Sequence, residues 1–265
     1  MIISINPVKI YQGTCLVVDL SITEKPSSIR GNFLGKNFYF INSNRDPHSY
    51  KAWLAVPIET SPGGKDIFIR INYGKKYVNK ISQIEVLKKD FPVEKINLPE
   101  EKTSLLIDKA LAKETAIIGG CFKHRSQKKY FEGKFIMPVS GKITSAFGLR
   151  RIYIGSNASW PHKGIDIGGY GGEKIVASNK GKVILSSSMK AHGNTIIIDH
   201  GLGIMSIHCH LKKRMVKAGK FVNKGELIGI LGKSGIATGE NVHFGISVND
   251  VRVDPVQFIK SDITL

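Results

Sequence analysis

Residues 1–97 alternate apolar and polar positions in short runs, a pattern that predicts β-strands. The turn signals EKPSS, NSNRDP and TSPGG separate these runs, and no helical periodicity lies between them. Five or more strands at this spacing predict a small β-sandwich of the immunoglobulin-like type. His, Asp, Glu and Cys do not cluster here, which favours a binding or positioning module. The β-rich runs are GTCLVVDLSI, NFYFIN, KAWLAVPI, KDIFIRINYG and KISQIEVLK.

Residues 98–130 have a different pattern, which predicts a single linker helix. Pro99 suits the first turn of a helix, and Glu100 and Glu101 suit its positive N-terminal end. The pair of glycines at 119 and 120 is the expected end of the helix. The apolar stripe consists of Leu105, Leu106, Ala110 and Leu111.

Residues 131–265 return to a β pattern that is rich in glycine. Runs such as KIVASNKGKVILSSS and NTIIIDHG predict antiparallel strands joined by tight turns. The chain is therefore predicted to be mainly β, with a sandwich domain at 1–97, a helical linker at 98–130 and a second β domain at 131–265.

The net charge of +18 is spread along the 265 residues. Such an excess favours an acidic polymer as partner or environment, either nucleic acid, an anionic membrane surface or cell-wall glycan. A lysine-rich composition with solvated side chains accounts for the same excess. No basic run interleaved with aromatic residues supports nucleic acid, and no apolar window reaches the roughly 18 residues of a transmembrane segment.

Export and assembly are left open by the sequence. The opening stretch MIISINPVKI lacks the basic region of a signal peptide, so no signal peptide is visible. Cys15, Cys121 and Cys209 show no CxxC spacing and are predicted to be scattered buried residues. The oligomeric state is not indicated.

Two spacings point to metal chemistry. In PHKGIDIGG, a loop that pivots at Gly164 could bring the His162 imidazole and the Asp166 carboxylate to one point. On the strand ENVHFGI, Asn241 and His243 share one face. His162, Asp166 and His243 together form a His₂Asp set of three ligands with an open fourth position, which is the pattern of a catalytic zinc.

A third spacing, in the run SIHCHL, concerns acid–base chemistry. On a strand His208 and His210 share a face, and Cys209 is predicted to face the core. A pair of half-exposed histidines on a solvated face is the alternative interpretation.

These motifs resemble, in chain order, the catalytic domain of the lysostaphin/LytM-type zinc metallopeptidases of family M23. The resemblance covers about residues 133–256 and includes FIMPVSGKITSAFGLRR, PHKGIDIGG, GNTIIIDHGLG, HCHL and the long stretch that ends in NVHFGISVNDVRVDP. The preceding β domain and helix look like the N-terminal part of Gram-negative members that cut peptidoglycan cross-links. The resemblance implies a Zn²⁺ cofactor, peptidoglycan as partner, and a periplasmic or cell-envelope location.

The resemblance also assigns roles to residues. It implies that His162, Asp166 and His243 are the zinc ligands. It implies that His210 acts with the first histidine of a His-x-His motif to polarise the attacking water and stabilise the tetrahedral intermediate. That first histidine is Asn241 in this sequence.

Asn241 and His208 depart from the family pattern. An amide forms hydrogen bonds but cannot take up a proton, and the loss of one acid–base group costs on the order of 10²–10⁴ in rate. His208 stands where tyrosine is common, and its period-2 spacing from His210 suggests that it could substitute in part for the missing base. A single sequence does not separate a natural Asn241 from an introduced one.

The favoured interpretation is a zinc endopeptidase that hydrolyses peptide cross-links of peptidoglycan, of the D,D type by resemblance, with activity reduced or abolished by Asn241. The alternative is a non-catalytic wall-binding protein or amidase activator of the same fold. Retention of all three ligands argues against the alternative. A nucleic-acid-binding protein is a third interpretation, supported by net charge alone.

Overall fold

The computed structural model describes residues 1–43, 46–107, 109–124, 126, 128–154 and 159–261. The fold is mainly β, as predicted, with 51% of the residues in strands and 11% in helices. Two compact units divide the chain. The first spans Met1–Asp90, short of the predicted boundary at residue 97, and the second begins at Phe91.

The first unit consists of two sheets that share one core. Their strand orders are β1-β3-β7-β6 and β2-β9-β8-β4-β5. The apolar core contains residues of both sheets, including Leu16 and Val18 of one and Ile67 and Ile69 of the other. The strands are β1 (Ile2–Asn6), β2 (Lys9–Tyr11), β3 (Cys15–Ser21), β4 (Ser28–Phe33), β5 (Lys36–Tyr39), β6 (Ile41–Ser43), β7 (Asp46–Ala55), β8 (Gly63–Tyr73) and β9 (Lys76–Leu87).

Alternation along β8 shows why the sequence pattern predicted this sheet. Ile67, Ile69 and Ile71 are buried, because successive side chains of a strand point to opposite faces. Phe68 and Arg70 between them are exposed on the other face. The sheet therefore has one apolar face in the core and one outer face of mixed character.

The second unit is built on one large sheet with the order β11-β14-β22-β18-β17-β16-β20, to which β23 is added beside β22. Two three-stranded sheets, β10-β12-β13 and β15-β21-β19, accompany it. The strands are β10 (Val93–Ile96), β11 (Lys142–Ser145), β12 (Arg150–Tyr153), β13 (Ser159–Pro161), β14 (Ile165–Gly168), β15 (Lys174–Val176), β16 (Gly181–Ser188), β17 (Asn194–Gly201), β18 (Ile204–Leu211), β19 (Lys213–Arg214), β20 (Phe221–Val222), β21 (Leu227–Ile230), β22 (Asn241–Val248) and β23 (Val251–Val253).

The predicted linker helix is two helices in the structure, α1 (Glu100–Ile107) and α2 (Lys109–Lys123), and both belong to the second unit. The prediction that Gly119 and Gly120 end the helix is wrong, because α2 continues through both glycines. Burial explains the continuation. Phe122, one turn further on, packs with Ile118 against apolar residues of β17 and β18. The third described helix is α3 (Pro255–Lys260).

None of the described helices is long and apolar enough to cross a membrane. The three cysteines form no disulfide with one another. Cys209 is buried as predicted, whereas Cys15 and Cys121 are only half-buried, which corrects the prediction for those two.

Candidate metal centre

Strand pairing places two of the predicted site residues side by side. β14 pairs antiparallel with β22 so that Asp166 lies directly opposite His243. Side chains of a directly opposed pair lie on the same face of a sheet. The imidazole and the carboxylate are therefore neighbours, although 77 positions separate them in sequence.

The short connection before β14 brings His162 to the same point. The connection passes so close to β22 that a Cβ on Gly164 would lie 2.5 Å from the carbonyl oxygen of Phe244 and 2.6 Å from Cε1 of His243. No side chain fits in that space. Gly164 is thus required by close approach to the neighbouring strand, at the position where the sequence suggested a pivot.

Three potential ligand atoms converge at this point. His162 Nε2 lies 2.9 Å from His243 Nδ1 and 3.1 Å from Asp166 Oδ1, and His243 Nδ1 lies 2.9 Å from Asp166 Oδ1. Ligands of a tetrahedral zinc lie about 3.3 Å apart when each bond is about 2.0–2.1 Å. The three atoms would need to separate by only a few tenths of an ångström, so the two nitrogens and one oxygen fit a zinc ion.

An outer contact orients His162, and the surroundings set the charge of the other two residues. Nδ1 of His162 hydrogen-bonds the carbonyl oxygen of Ala146 at 3.0 Å, which turns Nε2 toward the centre. Burial raises the pKa of Asp166, but hydrogen bonds from His162 and His243 outweigh this effect and hold the pKa well below its usual value. Burial lowers the pKa of His243 to about 3, against the opposing effect of Asp166. The site therefore holds a carboxylate and a neutral His243 imidazole, the forms that bind a metal.

Arg151 and Glu94 are site residues that sequence reasoning missed. The guanidinium of Arg151 contacts Oδ2 of Asp166 and donates to Oγ of Ser145 at 2.7 Å. Its Nε donates to Oε2 of Glu94 at 3.1 Å. Glu94 reaches Arg151 because β10 pairs in parallel with β12, with these two residues in register. Arg151 lies in the quoted run FGLRR, whereas no spacing in the sequence singles out Glu94.

His210 faces the metal centre because β18 contains a bulge. Two residues, Cys209 and His210, oppose the single residue Thr195 of β17, and His210 has a positive φ of 65°. The ring centroids of His210 and His243 lie 6.3 Å apart. Nδ1 of His210 donates to the carbonyl oxygen of Ser234 at 2.9 Å, which leaves Nε2 as an acceptor. Burial lowers the pKa of His210 to about 4, so the ring is neutral at pH 7.

His208 does not share a face with the site, so the predicted shared face with His210 is wrong and the predicted substitution for the missing base loses its structural basis. In the register of β18 and β22, Cys209 lies opposite His243, whereas His208 lies opposite Phe244. The His208 ring is completely buried with its centroid 5.3 Å from that of Phe244. The bulge after His208 breaks the period-2 alternation on which the prediction rested.

Asn241 begins β22 two positions before His243, and therefore lies on the same face of the strand. Its Nδ2 donates to the carbonyl oxygen of Gly239 at 3.0 Å. Its Oδ1 is buried and has no hydrogen-bond partner among the described residues. The side chain thus presents an unused acceptor where the resemblance implies a histidine.

Helix α2 braces one wall of the site through Glu114. The carboxylate of Glu114 accepts hydrogen bonds from the backbone N–H groups of residues 190–192 and from Nδ1 of His192 at 2.9 Å. These bonds outweigh the effect of burial and lower the pKa of Glu114. The carbonyl oxygen of His192, in the same segment, accepts a hydrogen bond from the backbone N–H of His210 at 3.1 Å. Glu114 therefore fixes the loop against which His210 is held.

Helix α2 also contacts the arginine that holds the other wall. Arg252 of β23 donates two hydrogen bonds, at 3.0 and 2.7 Å, to the carbonyl oxygen of Lys163, in the connection between His162 and Asp166. The guanidinium carbon lies 4.7 Å from the ring centroid of Phe122 of α2. A cation–π contact of this kind orients the guanidinium.

Comparison with known proteins finds similarity within the second unit. Residues 160–255 match the family model of Peptidase family M23. The Vibrio cholerae peptidoglycan DD-endopeptidase ShyA is 33% identical over 130 residues, which are 48% of this chain and 30% of that protein. The Escherichia coli murein hydrolase activator NlpD is 30% identical over 123 residues, which are 46% of this chain and 30% of that protein. The chain thus spans less than a third of these two curated relatives.

One solved structure is similar over almost the whole chain. A crystal structure of a Pseudomonas aeruginosa protein, described as a peptidase M23, has a TM-score of 0.69 and 29% identity. The similarity covers 92% of each chain, and therefore includes both compact units.

We expect Gly164→Ala to lower the free energy of unfolding by about 1–3 kcal/mol, because the new methyl group would overlap the Phe244 carbonyl. Urea denaturation of the purified chain measures the change. Gly239→Ala is the matched control, since a Cβ at that glycine meets nothing within 4 Å. Equal effects of the two substitutions would contradict the close-approach explanation.

We expect Glu114→Gln to lower the free energy of unfolding by about 2 kcal/mol at pH 7, because hydrogen bonds to a charged acceptor are lost. Since the folded state depresses the pKa of Glu114, this contribution is present above the usual glutamate pKa of 4.5 and is lost as the pH falls below it. The stability difference between wild type and Glu114→Gln should therefore shrink below about pH 4.5. Lys113→Gln, an exposed neighbour on α2, should show no such pH dependence.

Proposed function

This chain carries a domain of peptidase family M23, and from that premise we propose that it is a zinc metalloendopeptidase of the bacterial envelope that hydrolyses peptide cross-links of peptidoglycan. We further propose that Asn241 reduces its activity. The observation that carries the proposal is the convergence of His162 Nε2, Asp166 Oδ1 and His243 Nδ1 within 3.1 Å of one another.

A Zn²⁺ ion held by His162, Asp166 and His243 would supply Lewis acidity, which polarises the scissile carbonyl and makes a water molecule acidic enough to attack near pH 7. The rest of the proposed mechanism concerns side chains of this protein. Arg151 keeps Asp166 ionised and oriented, since its guanidinium faces the second carboxylate oxygen.

His210 is the proposed general base. Its Nδ1 proton is engaged by the Ser234 carbonyl, so its Nε2 lone pair is the site that can take a proton from the attacking water and later deliver it to the leaving amine. The positive φ at the bulge and the Glu114-anchored loop hold that ring in place.

Asn241 can perform part of the role of a histidine. Its buried Oδ1 can accept a hydrogen bond from water or from a substrate N–H, which helps to orient either group. It cannot carry a proton between reactants. A site with Asn241 therefore retains its metal ligands and loses one of two groups that would handle protons.

The proposed substrate and location follow from the relatives. One relative is named a peptidoglycan DD-endopeptidase and another a murein hydrolase activator, and both names refer to the bacterial wall. We accordingly propose the D,D cross-link as the bond cleaved and the periplasm or cell envelope as the location.

Activation of another wall hydrolase is the second candidate function. It is favoured by Asn241 in place of the proton-handling histidine and by the similarity to NlpD. The complete set of candidate ligands favours catalysis, because three clustered polar groups, two of them buried, would be costly at an unused site.

We expect the purified chain to bind one Zn²⁺ ion. We expect the His243→Ala variant to lose zinc binding, because only two of the three protein ligands remain in it. Metal analysis after gel filtration and isothermal titration with zinc measure both results. His48→Ala removes an exposed histidine of the first unit and should leave the stoichiometry unchanged. Absence of zinc binding by the unaltered chain would overturn the metal-centre proposal.

We expect Asn241→His to raise the rate of hydrolysis of a soluble cross-linked muropeptide dimer by about 10²–10⁴, because a second proton-handling group is restored. Product formation is followed by liquid chromatography with mass detection. Asn241→Ala, which cannot carry a proton either, should give no increase. If the chain binds zinc and neither it nor Asn241→His cuts the dimer, the activator function replaces the endopeptidase.

A further inference from the structure

The outer face of the five-stranded sheet in the first unit carries a row of cationic and polar side chains. Tyr39, Arg30, Arg70 and Asn79 lie directly opposite one another across β5, β4, β8 and β9. Arg30 and Arg70 are thus immediate cross-strand neighbours. Like charges at directly opposed positions destabilise a sheet.

No carboxylate compensates this pair within the part of the chain that the structure describes. The acid of the outer face on β8 is Asp66, four residues before Arg70, and it accepts a hydrogen bond from Gln83 at 3.1 Å. The Arg70 guanidinium is already oriented, because its Nε donates to Oδ1 of Asn79 at 2.9 Å and its carbon lies 4.9 Å from the Tyr77 ring centroid. An arginine held this way can present its remaining N–H groups to an anion.

A second row beside the first is rich in amide and apolar groups. Asn37, Asn32, Phe68 and Ile81 are opposed across the same four strands. Nδ2 of Asn32 donates to Oδ1 of Asn37 at 2.9 Å. Phe68 is 47% exposed and Ile81 is 64% exposed, although both lie in the middle of long strands. An open depression of about 540 Å³ lies over the two rows.

We propose that this surface, here called the arginine face (Arg30, Asn32, Phe68, Arg70 and Asn79), binds the glycan strands of peptidoglycan. Those strands repeat three kinds of group. The apolar faces of the sugars suit Phe68, the acetamido groups suit the asparagine amides, and the carboxylates of the muramoyl residues or their peptides suit Arg30 and Arg70. A negatively charged ligand would offset the repulsion between the two neighbouring arginines, which have no acidic partner among the described residues.

This role goes beyond the proposed hydrolysis, because the arginine face belongs to the first unit and contains no residue of the metal centre. It would retain the chain on the wall whether or not the site cuts. A nucleic acid is a poorer match, because a duplex carries one negative charge per about 1.7 Å and a protein that binds it usually presents many cationic side chains. The arginine face presents two arginines, surrounded by asparagine amides.

The experiment measures the affinity of the full chain for purified glycan strands from which an amidase has removed the stem peptides. This treatment leaves the sugars and frees a carboxylate on each muramoyl residue. The double variant Arg30→Gln/Arg70→Gln should bind at least about tenfold more weakly, as expected when charge-assisted hydrogen bonds are lost. Lys25→Gln/Lys88→Gln removes the same charge from exposed positions of the first unit and should bind like wild type.

Three outcomes decide the proposal. Equal affinity of wild type and the arginine variant for the glycan overturns it. Equally tight, arginine-dependent binding to duplex DNA also overturns it and indicates a general polyanion surface. Arginine-dependent glycan binding with weak binding to uncharged chitin oligosaccharides and to DNA supports it. The midpoint temperature of thermal unfolding of the first unit should not fall in the arginine variant, because the repulsion between Arg30 and Arg70 has been removed.

A parallel measurement separates this proposal from the proposed hydrolysis. The arginine substitutions, introduced into Asn241→His, should leave cleavage of the soluble muropeptide dimer unchanged. If no variant cleaves the dimer while glycan binding still depends on Arg30 and Arg70, the endopeptidase function fails and the glycan-binding proposal stands.

Discussion

The second unit is organised around one buried negative charge. The Asp166 carboxylate has histidine nitrogens within 3.1 Å of one oxygen and the Arg151 guanidinium against the other. An unpaired carboxylate in such a place would cost several kcal/mol, so its partners are as necessary to the fold as to any chemistry. Each partner comes from a different element. Three features position them: the register of β14 with β22, the connection through Gly164 and the pairing of β10 with β12.

The candidate ligand residues were predictable in part because two of the clues are local. Strand alternation placed Asn241 and His243 on one face, and a glycine between His162 and Asp166 indicated a tight connection. The period of a strand and the small size of glycine supplied these two clues. The family resemblance supplied the meeting of two segments that lie 77 positions apart, and the structure brings the three side chains together. The mainly-β class was predictable for the same reason, since runs such as β8 alternate without interruption.

The remaining features depend on contacts that no local pattern records. One extra residue in β18 turned His210 toward the centre and left His208 on the other face. Burial of Phe122 carried α2 through two glycines that would end an isolated helix. Glu94 and Glu114 form hydrogen bonds with partners that lie 57 and 76–78 positions away in sequence. Sequence reasoning ordinarily predicts that an acidic residue on a helix or strand is solvent-exposed. Tertiary packing determined each of these outcomes.

The two contacts of helix α2 determine how much of the chain must accompany the site when the domain is moved to another protein. The match to the family model begins at residue 160 and the motif resemblance at about residue 133, yet Glu114 and Phe122, which hold both walls of the site, lie before both. A fragment cut at the start of the resemblance would leave the amides of residues 190–192 without their acceptor and uncover the apolar strand surface under Phe122. The module that can be transferred is therefore longer than the segment that matches the family model. Grafting this M23-like domain onto another protein would have to include helix α2, which lies outside the match to the family model.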